Sequence, residues 1–219
     1  MVIRANGRAN GGSSKAARPG LEQALRRGSA LERERGACLP ALPALDRHLP
    51  GGGVEAGSLV EVLGEQAAGA LRLALRLAAG LQARAPARTA VVVDPLDPAG
   101  LALYPPALAQ AGLDLTRLVL LRPRTQDALP CLDEVLRSSA VSVAVARVPH
   151  LPAAASQRLR LAARAGGGVG LLVRPAAARG EVSGAGLRLM VREGGAPGRP
   201  LVVEPLRCRG AHARWSVDP

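Results

Sequence analysis

Short apolar runs rich in Val and Leu alternate along residues 58–175 with segments in which apolar residues recur at helical spacing. Such runs are typical of buried strands, and a 3.6-residue spacing is typical of helices that bury one face. The runs predict strands at residues 58–63, 89–94, 117–122, 141–148 and 169–174. The segments between them predict helices at residues 67–81, 99–111, 127–138 and 152–165. Pro105 and Pro106 must start or kink the second of these helices.

The rhythm changes near residue 186. Residues 186–192 and 201–209 are two further strand candidates, and the Gly- and Pro-containing stretch 193–198 between them predicts a hairpin. Strands that alternate with helices favour a parallel sheet covered on both faces. The predicted fold class is therefore α/β, with a mainly parallel sheet, helices on both faces and a C-terminal antiparallel hairpin at one edge.

Shorter segments flank the predicted core at residues 45–209. Residues 1–20 are rich in Gly, Asn, Ser and Arg and predict a disordered basic N-terminus. Residues 21–44 predict a helical arm and linker, in which Leu21, Leu25 and Leu31 form a weak apolar stripe. These leucines either pack on their own domain or bind a partner. Residues 210–219 predict a flexible tail.

The chain is strongly basic, with a formal net charge of +12 over 219 residues and a pI near 11.4. This charge indicates a polyanionic partner, nucleic acid first. Lys15 is the single lysine among 29 basic residues, so part of the arginine content is also explained as solvated surface. Because Tyr104 and Trp215 are the only aromatic residues, an aromatic platform for base stacking is not expected. Contacts to DNA should then involve phosphates and depend strongly on salt.

The cysteine spacing and the lengths of the apolar runs indicate the cellular compartment of the protein. Three cysteines without metal-ligand spacing predict neither a disulfide framework nor a zinc site, and a reducing cytoplasm fits best. No apolar run reaches the length of a membrane span, and the first 20 residues lack the apolar stretch of a signal peptide.

The stretch between the first strand and the first helix has the spacing of a phosphate-binding loop. The loop comprises Gly64, Glu65, Gln66, Ala67, Ala68, Gly69, Ala70 and Leu71. Gly64 and Gly69 keep the G-x-x-x-x-G spacing, whereas Ala70 and Leu71 replace the lysine and the Ser or Thr that such a loop uses. A backbone cradle of this kind can hold an anion, but it lacks the groups that neutralise a transferring γ-phosphoryl group. We therefore expect a degenerate nucleotide loop with no cofactor.

Several motifs resemble the RecA recombinase core over residues 45–192. They are Leu-Pro-Gly-Gly-Gly at 49–53, Val-Val-Val-Asp-Pro-Leu-Asp-Pro at 91–98 and Ala-Gly-Leu-Asp-Leu-Thr-Arg-Leu at 111–118. More closely, with the run at 158–175 as the most specific piece, the chain resembles the ImuA family, the RecA-like proteins of the bacterial damage-inducible mutagenesis cassette. This resemblance implies a RecA-like core.

Carried over residue by residue, the resemblance also implies that the catalytic groups are lost. A RecA enzyme needs a loop lysine and hydroxyl, a carboxylate that activates water, an acid linked to magnesium and a glutamine that senses γ-phosphate. The corresponding positions are Ala70 and Leu71, then Leu96, then Ala146 or Arg147, then Arg174. Metal-assisted attack on a phosphate needs several of these groups together, so no catalytic residue and no metal site are expected.

The resemblance then implies a non-catalytic accessory protein of translesion synthesis, acting in the SOS response to DNA damage. The implied partners are RecA, the Y-family pseudo-polymerase ImuB and, indirectly, an error-prone replicative-type polymerase, with single-stranded DNA a further candidate. The loop that follows the fifth strand of RecA contacts DNA. The candidate DNA-binding residues are accordingly Arg174 and Arg179, with Arg207, Arg209 and Arg214 from the C-terminal stretch.

Two other functions stay open. The SulA-type cell-division inhibitors are distant relatives of the same core, so the chain could instead bind the division protein FtsZ. It could also be an ATPase in which Arg72, Arg76 or Arg147 replaces the missing lysine. Asp94 and Asp97 could hold a metal, although Asp before Pro more often caps a loop.

Overall fold

The apolar runs of the sequence form the strands of a central sheet. The computed structural model of the chain describes residues 36–65, 68–95, 103–192, 200–208 and 214–217. The strands are β1 (Cys38–Leu39), β2 (Val54–Glu55), β3 (Leu59–Gly64), β4 (Thr89–Val93), β5 (Leu118–Leu121), β6 (Val141–Arg147), β7 (Val169–Pro175), β8 (Leu187–Arg192), β9 (Leu201–Arg207) and β10 (Trp215–Val217). The helices are α1 (Pro43–Asp46), α2 (Ala68–Arg84), α3 (Pro105–Gln110), α4 (Ala128–Arg137) and α5 (Ala153–Gly166), with short 3-10 helices at Leu115–Arg117, Thr125–Asp127 and Ala176–Gly180.

Eight of these strands form one sheet in the order β10-β9-β8-β3-β7-β6-β4-β5. β3 lies between β7 and β8 and is parallel to both. The pairs β6–β7, β4–β6 and β4–β5 are parallel as well. The predicted α/β class with a mainly parallel sheet is thus confirmed. The predicted C-terminal antiparallel hairpin at one edge is confirmed as well: β9 runs antiparallel to β8 and to β10, while β8 joins β3 in parallel.

Alternating strand residues pack on two layers of helices. On one face, residues such as Val60 and Val62 of β3 form an apolar cluster with α2. On the other face, Leu59 belongs to a second cluster with buried leucines of α4 and α5. Since successive strand residues point to opposite faces, the near-continuous apolar runs follow directly from burial on both sides.

The core begins earlier than residue 45, which corrects the predicted boundary. β1 pairs antiparallel with β2, and Leu42 and Leu45 are buried in the cluster beside α2. The turn after α1 contains Gly51 and Gly52, with φ of 79° and 72°, a conformation that favours glycine. Residues 36–44, predicted as part of a separate arm, therefore belong to the compact unit that starts at Gly36.

The predicted flexible tail is wrong for residues 215–217. β10 pairs antiparallel with β9, and Trp215 and Val217 are buried. The indole of Trp215 stacks on the ring of His48, with ring centroids 5.1 Å apart and planes within 4° of parallel. The C-terminal stretch therefore closes one end of the sheet and contacts the turn before β2.

Two helices differ from their predicted bounds. α2 continues to Arg84, one turn beyond the predicted end at residue 81. α3 begins at Pro105, as the fixed φ of proline favours at a first helical position. The first residues of the predicted helix 99–111 lie outside the described part of the chain. Over the described ranges, no helix combines the length and the apolar character needed to cross a membrane.

Candidate functional site: the carboxyl edge of the sheet

The predicted phosphate loop joins the end of β3 to the start of α2. Glu65 is exposed, Gln66 and Ala67 lie outside the described residues, and α2 begins at Ala68. A Cβ added to Gly64 would lie 2.9 Å from the Cβ of Ala70, so the strand end touches the first turn of the helix. Ala70 is buried in the apolar cluster and Leu71 packs against it.

The two positions that would carry the lysine and the hydroxyl are thus both part of the core. Their side chains pack on apolar neighbours instead of pointing at a ligand. The strand and the helix lie within a few residues of their predicted bounds, but packing takes the place of charged groups at Ala70 and Leu71.

An ion pair lies at the ends of two neighbouring strands. Asp94 directly follows β4, and Arg147, the last residue of β6, donates to its Oδ1 at 2.6 Å. The other oxygen of Asp94 accepts the backbone N–H of Leu103 at 2.8 Å. Asp94 is only 2% exposed, so its charge is compensated by Arg147 and it holds the chain that leads into α3. The geometry fits the loop-capping role of Asp94.

No group of three or more His, Cys, Asp or Glu side chains that could hold a metal occurs in the parts of the chain described above. Asp97 lies outside those parts, as does Leu96. Arg147 is one of the two positions, with Ala146, at which the resemblance to RecA implies an acid linked to magnesium, and its guanidinium supplies a positive charge beside Asp94.

A buried ionic network crosses the sheet between β3, β7 and β8. Glu61 is fully buried in β3, and its carboxylate accepts the hydroxyl of Ser183 at 2.5 Å and Nε of Arg188 at 2.8 Å. The side chain of Arg174 is also fully buried, 3.6 Å from Glu61 and 2.7 Å from the carboxylate of Glu181. The bond from Arg174 lowers the pKa of Glu181 below its ordinary value.

This network removes Arg174 from the candidate DNA surface, which corrects its predicted role. The resemblance to RecA predicts that Arg174 is exposed and contacts DNA. Instead Arg188 donates to the carbonyl oxygens of Ala178 and Arg179 and fixes the segment after β7 on the sheet. Sequence inspection missed the network, although a glutamate inside the apolar run Leu-Val-Glu-Val-Leu is a visible signal, since a buried acid requires a cation.

The other predicted DNA-binding arginines lie on the surface but are engaged. Arg179 pairs with Glu204 at 3.0 Å, and Arg214 approaches the same carboxylate at 3.7 Å. Arg207 donates to the carbonyl oxygens of Ser183 and Ala185. Arg209 lies outside the described residues, and so do Leu21, Leu25 and Leu31 of the predicted arm. The structure brings Arg179 and Arg214 together around Glu204 in the middle of β9, and Arg207 is held at the end of that strand.

The Ala-Gly-Leu-Asp motif forms a turn that is fixed to α2. Gln82, only 1% exposed, exchanges hydrogen bonds with the backbone of Asp114 and also donates to the carbonyl of Arg117. Hydrogen bonds from Thr116 and Arg117 lower the pKa of Asp114 from 3.8 to about 2. In this chain the motif is therefore a structural anchor for β5.

Comparison with known proteins assigns no family. No protein-family model matches the chain, and a search of the curated proteins finds no match.

Proposed function

We propose that this chain is a non-catalytic, RecA-like accessory protein of the ImuA type, acting in DNA-damage-induced translesion synthesis. The observation that carries the proposal is that Ala70 and Leu71, in the first turn of α2, pack in and against the apolar core, at the positions where a RecA-type motor needs a lysine and a hydroxyl. The Asp94–Arg147 pair supports it further, because a guanidinium lies where a motor of this family holds a magnesium-linked acid.

The order of the motifs along the sheet agrees with a RecA-like core. The degenerate loop follows the central strand β3, Asp94 follows β4, and the Ala-Gly-Leu-Asp turn precedes β5. Ligands of open parallel sheets bind outside the carboxyl ends of the strands, and this edge is the one that has lost its catalytic groups. Function would then depend on surfaces, with RecA, the pseudo-polymerase ImuB and single-stranded DNA as proposed partners.

The test combines turnover with binding. Purified full-length protein should release no phosphate from magnesium-ATP, and it should co-elute with RecA or with ImuB in size-exclusion chromatography. Magnesium-dependent turnover that is lost when a residue of the loop is changed would refute the non-catalytic role. Failure to co-elute with either protein, together with inhibition of FtsZ polymerisation, would favour a division inhibitor.

A second experiment locates the partner-binding segment. The variant that lacks residues 1–35 keeps the whole compact unit from Gly36 onward. If Leu21, Leu25 and Leu31 bind RecA, this deletion should abolish co-elution with RecA and leave the thermal unfolding transition in place. Unchanged co-elution would contradict the assignment of RecA binding to these leucines.

A further inference from the structure

The backbone that precedes Tyr104 is fixed by hydrogen bonds, and the ring of Tyr104 lies in solvent. It is 68% exposed, and it precedes the first residue of α3. Both the backbone N–H and the backbone carbonyl of the preceding residue, Leu103, make hydrogen bonds. Its N–H donates to Asp94 at 2.8 Å, and its carbonyl accepts a hydrogen bond from Arg122 at 3.0 Å. Because the backbone is fixed in this way, a ligand would not have to order it on binding.

The surroundings of Tyr104 at this edge of the sheet carry positive charge. Arg122 and Arg124 follow β5, and both are exposed. Arg147 ends β6 and remains 29% exposed although it pairs with Asp94. Asp94 itself is buried and compensated, so the exposed acid nearest in sequence to these arginines is Asp127. Since the carboxyl ends of parallel strands meet at one edge, these arginines and Tyr104 share that edge.

Two aromatic residues are too few for a platform of several rings, but one exposed ring beside exposed guanidinium groups can bind an unpaired base together with its phosphates. Bases in a duplex are stacked on each other, so a ring on the protein surface reaches only those of a single strand. A nucleoside triphosphate is less suited, because the loop before α2 offers Ala70 and Leu71 where its phosphates would need a lysine and a hydroxyl.

We propose that Tyr104 stacks on a base of single-stranded DNA and that Arg122 and Arg124 contact the adjacent phosphates. The contact to DNA then lies at the carboxyl edge of β4 and β5, away from the arginines that the sequence suggested. This inference rests on the proposed function for the choice of DNA as the polymer. The position of the site rests on the exposure of Tyr104 and on the bonds that hold Leu103.

The experiment is a fluorescence-anisotropy titration of labelled oligothymidine with the full-length chain at several salt concentrations. Tyr104→Ala should weaken binding about tenfold, the effect of losing one stacked base, whereas Tyr104→Phe should retain most of the affinity. Arg124→Gln should reduce the slope of log K against log salt by about 0.7, the value for one phosphate contact on a single strand. Leu161→Ala is the matched control, since Leu161 is 53% exposed on α5 and should not affect binding.

An abasic oligonucleotide of the same length separates stacking from charge. It should bind wild type and Tyr104→Ala equally, because it offers phosphates without bases. Equal affinity of Tyr104→Ala and wild type for oligothymidine would overturn the inference but not the proposed function. Thymidine monophosphate binding as tightly as the oligonucleotide would overturn the polymer as ligand. If wild type fails to bind oligothymidine even at low salt, both this inference and the DNA part of the proposed function fail.

Discussion

At the scale of single residues, Glu61 joins segments of the chain that are far apart in sequence. Its carboxylate bonds Ser183 and Arg188 and lies beside Arg174. Glu61→Gln removes the negative charge and leaves two buried guanidinium groups with less compensation. Loss of one partner of a buried pair typically costs about 3 kcal/mol or more, so the free energy of unfolding should fall by about that amount in chemical denaturation.

The matched control for this prediction is Glu134→Gln, on the exposed side of α4. It should change the free energy of unfolding by no more than about 0.5 kcal/mol. The double variant Glu61→Gln/Arg188→Gln should be less destabilised than the sum of its single changes, because the two side chains are bonded to each other. Additive effects would show that the buried pair is not coupled.

Asp114 gives a prediction for pH. Its pKa is lowered from 3.8 to about 2, chiefly by the hydroxyl of Thr116, so the folded state prefers the ionised carboxylate. The stabilisation is therefore complete above pH 4 and is lost as the pH falls toward 2. Thr116→Val should raise the pKa of Asp114, measured by NMR titration of its carboxyl carbon. A pKa of Asp114 near 3.8 in the wild-type protein would contradict the bonded turn.

Roles of single residues were the least predictable part of the sequence. Arg174 ends the predicted strand 169–174 and precedes a loop with a second arginine, a pattern that is typical of an exposed basic loop. Its burial depends on Glu61, which lies in a strand that pairs with β7 only in the folded sheet. Tyr104 is the converse case, an exposed ring that follows a residue, Leu103, whose backbone is bonded to Asp94 and Arg122. The partners in such pairings are set by the tertiary structure, so the glutamate in an apolar run indicates that a cation is needed but not which arginine supplies it.

At the scale of elements, α2 contacts residues 36–44 so closely that Gly80 of this helix has no room for a side chain. A Cβ added to Gly80 would lie 1.7 Å from the carbonyl oxygen of Ala41, a backbone atom. Gly80→Ala should therefore move this segment or the helix and cost about 2 kcal/mol in the free energy of unfolding, although alanine is the better helix former. Thermal and chemical denaturation measure the loss.

Gly186→Ala is the control for this prediction, since no atom lies within 4 Å of a Cβ added to Gly186. It should leave stability within about 0.5 kcal/mol of wild type. If Gly80→Ala is instead neutral or stabilising, residues 36–44 do not pack on α2 as described, and the predicted boundary at residue 45 would be restored.

The bounds of the strands in the parallel sheet were predicted to within a few residues. These strands are buried on both faces, so each one is marked in the sequence by a long apolar run. β10 was missed since three residues, Trp215 to Val217, are too short for a recognisable alternation, and their burial depends on pairing with β9. The antiparallel hairpin itself was predicted, but the way it attaches to the sheet was not. The turn predicts that β8 and β9 pair, but not that β8 lies parallel to β3.

At the scale of the whole molecule, the proposed function treats this mainly parallel sheet as a nucleotide-binding fold whose carboxyl edge is closed by apolar packing and by a salt bridge. Restoring the loop therefore tests whether the fold alone is enough for turnover. The variant Ala70→Lys/Leu71→Thr supplies the missing lysine and hydroxyl. We expect it to release no phosphate from magnesium-ATP, since Arg147 still compensates Asp94 and, within the described residues, no cluster of acidic side chains could hold the metal.

The same variant should also unfold at a lower temperature than wild type. Ala70 is 1% exposed within the apolar cluster, so a lysine there must bury methylenes in a packed core and desolvate its ammonium group. Arg76→Lys, on the same helix and half-buried, preserves charge and serves as the control for a lysine in α2. Phosphate release by Ala70→Lys/Leu71→Thr at an unchanged unfolding temperature would mean that the edge is an open nucleotide site lacking only two side chains. The protein would then be a motor inactivated by two substitutions, and its surfaces would not need to carry the function.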